Sequence, residues 1–542
     1  MYASGLQFCI VTVRTLHFPT NQKAEPELIF IFQSGQCGGL KKIRRCRQMK
    51  NKKKKVCFFL GFLLFSLFFV GCRKSEGTTV KESEIQSEER TKLVIAYQTN
   101  AADYPEDQKL VEEALKEKIR EKLNVDVEFV VRSNDYEKEI RDMMASNQQL
   151  DIVCYYRGLF CELLMNDNWV PLNRLLQNYG QGILDAVGKD VSDACRIDGE
   201  LYGLPNNHDF AVGWDGYILR KDILDKYGIK KEDITSMEKL EQIFALVHRK
   251  EPQLTILDCS GTSIMTNQYL GSEVFEQIGV LKNYGQEDTF VNVFKTEEYK
   301  RQLERIYKWR KLGYIKKDLL SDTENGDIKM MKGNLFAYAF RGKPGVEWQE
   351  KMTTGQDVVY VQFGENSVPA NAPARFGWGI TKHTVSQEKS MELLNLLYTD
   401  PELMNLLAYG VEGVHYVKMA DGHITFPEGK NTNPFIGEAW RFPNQFITYV
   451  WEGNDLDFWD NMKKYNEESI HGNDYGFYFD IMPVYDEYME IVEIYSKYRV
   501  ILENGMVDPQ EGLEAMNQEL DACHIDEVIA EKQRQFDRWK GK

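Results

Sequence analysis

From Lys92 onward, apolar and polar positions follow two alternating rhythms. Lys92 to Tyr97 is a short apolar run bounded by charge and then by Thr99-Asn100, the pattern of a buried strand. Asp107 to Leu123 places Leu110, Val111, Ala114, Leu115, Ile119 and Leu123 at helical spacing. Val125 to Val131 alternates as a second strand, Tyr136 to Ala145 has the period of a second helix, and Leu150 to Tyr155 is a third strand. The order βαβαβ predicts a parallel, doubly wound sheet with ligand sites outside the carboxyl ends of its strands. Tyr97 to Asn100 fall at the end of the first strand, and Tyr155, Tyr156 and Arg157 at the end of the third.

Further along, Ile197 to Pro205 alternates around Asp198-Gly199, a hairpin-turn signal that predicts two short strands. Trp214 to Leu219 predicts a strand, and Lys221 to Tyr227 a helix closed by Gly228. Helices are predicted over Ser236 to Arg249 and over Glu297 to Lys311. Met330 to Phe340 predicts a helix end, a Gly333-Asn334 turn and a strand, with another strand over Val358 to Phe363. Arg375 to Thr381 is a glycine-spaced aromatic strand followed by a helix from Ser386 to Leu397. The tail predicts two long helices, Pro483 to Val500 and Asp508 to Trp539, the second starting on an acidic cap before proline.

Upstream the pattern is different. Lys50 and Lys52 to Lys55 form a basic head, Val56 to Val70 an apolar run, and Gly71-Cys72 a small residue before a thiol. This is the three-part arrangement of a secretory signal over residues 49–71, too short in its apolar part to span a bilayer comfortably. Phe69-Val70-Gly71-Cys72 resembles the lipobox of bacterial lipoproteins, with Phe69 where that pattern prefers Leu. The resemblance implies lipidation, including palmitate, at Cys72 and an anchor to the extracytoplasmic face of the cell membrane; several acyl chains hold such an anchor stably. A polar, acidic tether over 72–91 follows. Residues 1–48 do not fit a chain that begins with its signal, and Met49 is expected to be the native start.

Charge narrows the partners. Of the 67 Lys and Arg and 83 Asp and Glu residues, 12 and 2 respectively precede Cys72, which leaves a net charge of −26. That balance repels phosphate backbones, so no nucleic-acid partner is expected. Cys154, Cys161, Cys195, Cys259 and Cys523 form no CxxC and no dense framework, although pairing of Cys154 with Cys161 is left open. His415 and His423 with Asp421 surround a glycine turn without helical ligand spacing, and Asn454 to Asp457 lacks the glycine and distal glutamate of an EF-hand, so no metal site is expected. Phosphate-cradling glycine motifs and a Ser-centred nucleophile elbow are missing, and no cofactor is expected.

The stretch Leu201-Tyr202-Gly203-Leu204-Pro205, then a polar patch, an aromatic strand and Arg220-Lys221-Asp222-Ile223-Leu224, resembles the crossing segment of bacterial extracellular solute-binding proteins. Leu406-Leu407-Ala408-Tyr409-Gly410-Val411-Glu412-Gly413-Val414-His415-Tyr416 and Glu438 to Phe446 are similar to the C-terminal region of their sugar-type lipoproteins, the DUF3502 or LipO-like subset of family 1. The resemblance runs from about Lys92 to the end. It implies an α/β, two-lobed periplasmic-binding-protein-like fold of type II, with hinge-linked lobes and several chain crossings. Residues 92–205 and 372–410 would build lobe 1, residues 214–365 and 445–542 lobe 2, and 411–444 a crossing. It further implies a monomeric, non-enzymatic lipoprotein that captures a carbohydrate, an oligosaccharide, and hands it to the permease of an ABC importer by hinge closure. A peptide ligand, an anchored glycan hydrolase with a carboxylate pair and a ligand-sensing lipoprotein stay open as alternatives.

Carbohydrate recognition needs flat aromatic faces and planar polar groups. The candidates near strand ends and crossings are Asn100, Tyr155 and Arg157 in the first third of the chain, and Asn207, His208, Asp209 and Trp214 at the first crossing. Arg375 and Trp378 on the glycine-spaced strand, and Glu412 and Trp440 beyond it, complete the set.

Overall fold

The structure, a computed structural model, describes residues 90–197, 199–259, 263–265, 277–316 and 324–541. The signal segment, Cys72 and nearly all of the tether lie outside the described residues, as does Asp198 of the expected hairpin.

The expected βαβαβ unit is present: β1 (Lys92–Gln98), α1 (Pro105–Leu123), β2 (Asp126–Arg132), α2 (Tyr136–Ala145) and β3 (Ile152–Tyr156), followed by α3 (Arg157–Met165). β1 lies between β2 and β3 and runs parallel to both. The glycine-spaced strand Phe376–Ile380 then pairs antiparallel with β3 and carries Leu204–Pro205 on its other edge. Its sequence, Phe-Gly-Trp-Gly-Ile, is explained by that position. A Cβ on Gly377 would come within 2.5 Å of the Tyr155 hydroxyl, and one on Gly379 within 2.6 Å of the Trp169 ring. The two glycines make room on one face for large rings, while Phe376 and Trp378 occupy the other.

A second sheet holds Val358–Gln362, Gly216–Arg220, Leu335–Ala339 and Thr255–Cys259 in that order, with Gly216–Arg220 antiparallel to both neighbours. Its core, around Tyr217, Phe244 and Trp309, is separate from the first-lobe core around Tyr97, Leu115 and Trp378. Two sheets with two cores give the two-lobed α/β arrangement.

Three differences from the sequence pattern have local causes. The strand expected from Trp214 starts at Gly216, because Asp215 turns the chain at φ 51°. The tail helix expected over Asp508 to Trp539 is two helices, Pro509–Ala522 and Ile525–Trp539. They are separated by His524 at φ 58°, a break that no glycine or proline announces. Residues 411–444, expected as a crossing, instead place Tyr416, Ile424, Phe435, Ala439 and Phe442 in the first-lobe core.

The crossings the structure shows are about 206–213, 364–375 and 458–475. Each contributes one short strand, Val212–Gly213, Asn366–Val368 and Ile470–His471, and the three pair into a sheet of their own. Side-chain bonds lock it. Trp214 Nε1 donates to Ser367 Oγ at 2.7 Å. Asn466 Oδ1 accepts from the backbone N–H groups of Phe210 and Ala211 at 2.9 and 3.0 Å, and its amide donates to His208 O at 2.8 Å. Replacing Asn466 with Ala strands three backbone groups in a half-buried place, so N466A is expected to lose about 2–4 kcal/mol of stability in denaturant unfolding.

Candidate functional site

The carboxyl ends of β1 and β3 open into a cavity of about 580 Å³. Gln98 ends β1, Tyr156 ends β3, and Arg157 and Gly158 begin α3; the first turn of α2, from Asp135 to Lys138, forms another wall. Asn371, Arg375 and Phe376 close it from the second crossing. A smaller crevice beside it lies between Arg157, Phe160 and Cys161 of lobe 1 and Gly476 to Tyr478 of the tail.

Half-buried rings form a row at the cavity edge. Tyr156 and Phe376 are cross-strand partners, their rings meet edge to face at 4.8 Å, and Phe376 meets Trp440 at the same distance. The Arg441 guanidinium lies over Trp440 at 4.5 Å and over Tyr156 at 5.8 Å, and donates to the Tyr156 hydroxyl. Arg441 is held in turn by Glu438 at 3.0 Å. Asn100 donates to the same carboxylate from its side chain at 2.9 Å and from its backbone at 3.3 Å. Burial pushes the Tyr156 phenol up to about 12 although Arg441 opposes it, so the ring is neutral and a hydrogen-bonding group. Burial also raises the Glu438 carboxyl above the ordinary glutamate range, against the pull of Arg441 and Asn100. Aromatic faces beside a guanidinium and an amide can take up a polar molecule with an apolar face.

The other residues singled out in the sequence are distributed as follows. Arg157 and Arg375 line the cavity; Arg157 lies against the Tyr478 ring at 5.4 Å, and Arg375 donates to Asn371 Oδ1 at 3.3 Å. Tyr155 is on the opposite face of β3 from Tyr156 and packs on Phe160 and Trp169. Trp378 is on the face of Phe376 but two residues further into the sheet, 1% exposed against Tyr97. Trp214 is likewise 1% exposed, bonded to Ser367 and covered by Arg341. Asn207 ties the first crossing to Ala186 and Asn444. His208 contacts Asp209, whose buried carboxylate pairs with Lys343. Burial alone would raise the Asp209 carboxyl, but Lys343 and His208 outweigh it and hold it below the usual range. Glu412 sits half exposed, paired with Lys418 at 2.9 Å. Tyr155, Trp214, Trp378, Asn207, Asp209 and Glu412 are thus engaged with protein partners away from the cavity, which corrects the sequence expectation for their side chains. Cys154 and Cys161 are both free thiols.

Tyr156, Phe376, Glu438 and Arg441 were not among the candidates. Period-two alternation was the usable signal, since it separates Tyr156 from Tyr155 once the end of β3 is fixed.

Two α/β lobes, three crossings and a site at the carboxyl ends of the first sheet define the type II solute-binding fold. The chain has that fold, and its residues 474–541 match the family model for DUF3502, a domain of unknown function. Among curated proteins, it is 23% identical over 430 residues to the carbohydrate ABC transporter substrate-binding protein of Streptococcus pneumoniae serotype 4, covering 78% of this chain and 86% of that protein. Among solved structures, the N-glycan transport solute-binding protein of Streptococcus pneumoniae superposes with a TM-score of 0.73 at 20% identity, covering 83% of this chain and 99% of the other. The same protein in complex with Man5GlcNAc gives a TM-score of 0.67 at 21% identity, over 84% and 99%.

The raised Glu438 carboxyl makes a pH prediction. Between the ordinary glutamate pKa and the raised one, the folded chain keeps a proton that the unfolded chain releases, so this group's contribution to stability falls as pH rises through that window. E438Q is expected to flatten this part of the curve, read as melting temperature between about pH 4 and 7.

Proposed function

We propose that the chain is a binding protein that captures a carbohydrate, an oligosaccharide, and delivers it intact to an ABC importer. The observation that carries the reading is the half-buried row of Tyr156, Phe376 and Trp440 beside Arg441, at the mouth of a cavity of about 580 Å³ in a two-lobed solute-binding fold. Pyranose rings present an apolar face to such aromatics and hydroxyls to planar polar groups. The relatives named above support it, since both are designated carbohydrate or N-glycan transport proteins. Capture would proceed by closure of the lobes about the crossings, with affinity set by how far ligand contacts favour the closed state. Arg157, Arg375 and Trp440 are the sequence candidates that this reading retains as ligand contacts.

The same reading gives the chain a permease partner and a monomeric state. It also gives it a lipid anchor at Cys72 on the extracytoplasmic face of the membrane, supported by the basic head, the apolar run and the lipobox-like ending of residues 49–72.

Oligosaccharides are expected to raise the melting temperature and to be recovered uncut, as stabilisation by a ligand that binds only the folded state requires. Trp440→Ala should weaken that binding by about tenfold in calorimetry, the scale of one lost ring contact. Cleaved products would favour a hydrolase, and a shift with peptides alone would overturn the carbohydrate assignment. Cys72→Ser is expected to abolish incorporation of labelled palmitate and release the protein from the membrane fraction.

A further inference from the structure

The carboxylates around the first-lobe site have protein partners: Glu438 is held by Arg441 and Asn100, and Glu137 by Arg141. One carboxylate of the second lobe does not. Asp215 lies where the first crossing enters the second sheet, immediately before the strand Gly216–Arg220. Gln362 pairs with Gly216, and Ala339 pairs with both Tyr217 and Cys259, so the strands Val358–Gln362, Leu335–Ala339 and Thr255–Cys259 all finish at this edge. It is the second lobe's counterpart of the edge where β1 and β3 end: carboxyl ends of strands, beside the paired crossings, where ligand sites of α/β sheets lie.

The backbone at this point is fixed. Asp215 O accepts from the Phe363 N–H at 3.2 Å, and Trp214 is bonded to Gly364 and Glu365 at 3.0 and 3.3 Å. Asp215 is held at φ 51°, in the left-handed region. Glycine would take that conformation without strain, and asparagine would take it without charge. Aspartate adds a carboxylate that, among the described residues, makes no hydrogen bond and no ion pair. Three phenols feel its charge, those of Tyr217, Tyr284 and Tyr360. None is bonded to it: Tyr360 donates to Gln362 Oε1 at 3.0 Å, the Tyr284 hydroxyl accepts from the Glu365 N–H at 3.0 Å, and Tyr217 packs against Phe244 and Trp309. Burial raises the Asp215 carboxyl above the ordinary aspartate range, and Arg305, beyond ion-pair distance, only partly opposes it. The group is recessed rather than sealed, since the residue is partly exposed and neither carboxylate oxygen is shut off from solvent.

A strained backbone and an unpaired, recessed carboxylate both cost the unliganded fold stability, and such features cluster where a ligand completes them. Sugar hydroxyls supply what is missing. An O–H donor to an ionised carboxylate makes one of the stronger hydrogen bonds, and two neighbouring hydroxyls match the two oxygens.

We infer that Asp215 is the second lobe's ligand contact, its carboxylate accepting hydrogen bonds from neighbouring hydroxyls of the saccharide whose ring faces lie on Tyr156, Phe376 and Trp440. The inference rests on the carbohydrate-binding function proposed above and adds the residue through which the second lobe is drawn onto the ligand. Contacts confined to one lobe do not favour the closed state, whereas a contact made only when both lobes reach the sugar does. It also fixes the chemistry of the ligand at this place: free hydroxyls, and no anionic substituent, which the carboxylate would repel.

The test titrates mannotriose, maltotriose and triacetylchitotriose by calorimetry onto the unaltered protein, Asp215→Asn and Asp215→Gly, with melting temperatures and the small-angle scattering radius measured before and after saturation. For the tightest of these sugars, Asp215→Gly is expected to weaken binding by at least about tenfold, the scale of a hydrogen bond to a charged group, and Asp215→Asn by less. The unliganded melting temperature of Asp215→Asn should equal or exceed that of the unaltered protein, because the backbone is kept and only the unpaired charge is removed. Saturation should contract the unaltered protein and contract Asp215→Gly less. Unchanged affinity in both variants overturns the assignment and leaves the carbohydrate reading standing. Weakened affinity accompanied by a lower unliganded melting temperature of Asp215→Asn overturns it too, since that is the mark of a structural carboxylate. Binding of none of the three sugars, nor of any other oligosaccharide, by the unaltered protein overturns both.

Discussion

The pairing of the three crossings into one small sheet is the constraint on which the rest depends. A chain that passes between lobes three times could meet the second lobe through three independent linkers, each free to twist. Here the strands Val212–Gly213, Asn366–Val368 and Ile470–His471 share backbone hydrogen bonds, and Trp214, Ser367 and Asn466 add side-chain ties. Relative motion of the lobes is therefore restricted to movements that keep this sheet paired, the few φ/ψ changes at its ends that hinge motions use. The first crossing also carries the buried Asp209 carboxylate, whose pairing with Lys343 fixes it to the second lobe. Breaking one partner of such a pair leaves an uncompensated charge, so the connection resists rearrangement.

The first lobe was legible because its alternating periods are strong and its elements short. β1, α1, β2, α2 and β3 fall within a residue or two of the sequence pattern, and the strand Phe376–Ile380 was marked by its glycines. Three strands of the second sheet were legible, but Thr255–Cys259 was not expected, and neither was the order, since antiparallel Gly216–Arg220 sits between partners more than a hundred residues away in the chain. The candidate site was legible in outline only. Strand ends indicated the region, and Arg157, Arg375 and Trp440 lie in or beside the cavity. Trp378, between two glycines, was a ligand candidate, yet the glycines at 377 and 379 make room for Tyr155 and Trp169 in the core. Aromatic residues near polar ones serve packing as readily as recognition, and only the register of paired strands separates the two.

Segment 411–444 shows the same limit. The resemblance implied a crossing there, but five of its apolar side chains anchor it to the first core. It then delivers Glu438, Trp440 and Arg441 to the site, which is how residues almost three hundred positions after Tyr156 come to touch it.

One further consequence follows from Tyr478. Its ring supports Arg157 of the first lobe, yet it belongs to the C-terminal stretch matched by DUF3502, whose helices pack on the second lobe. Part of the crevice wall beside the cavity is thus furnished by a module at the far end of the chain. Exchanging that module for one with another side chain at this position would re-line the crevice while both sheets and the paired crossings stayed as they are, so the lining and the scaffold can be altered separately.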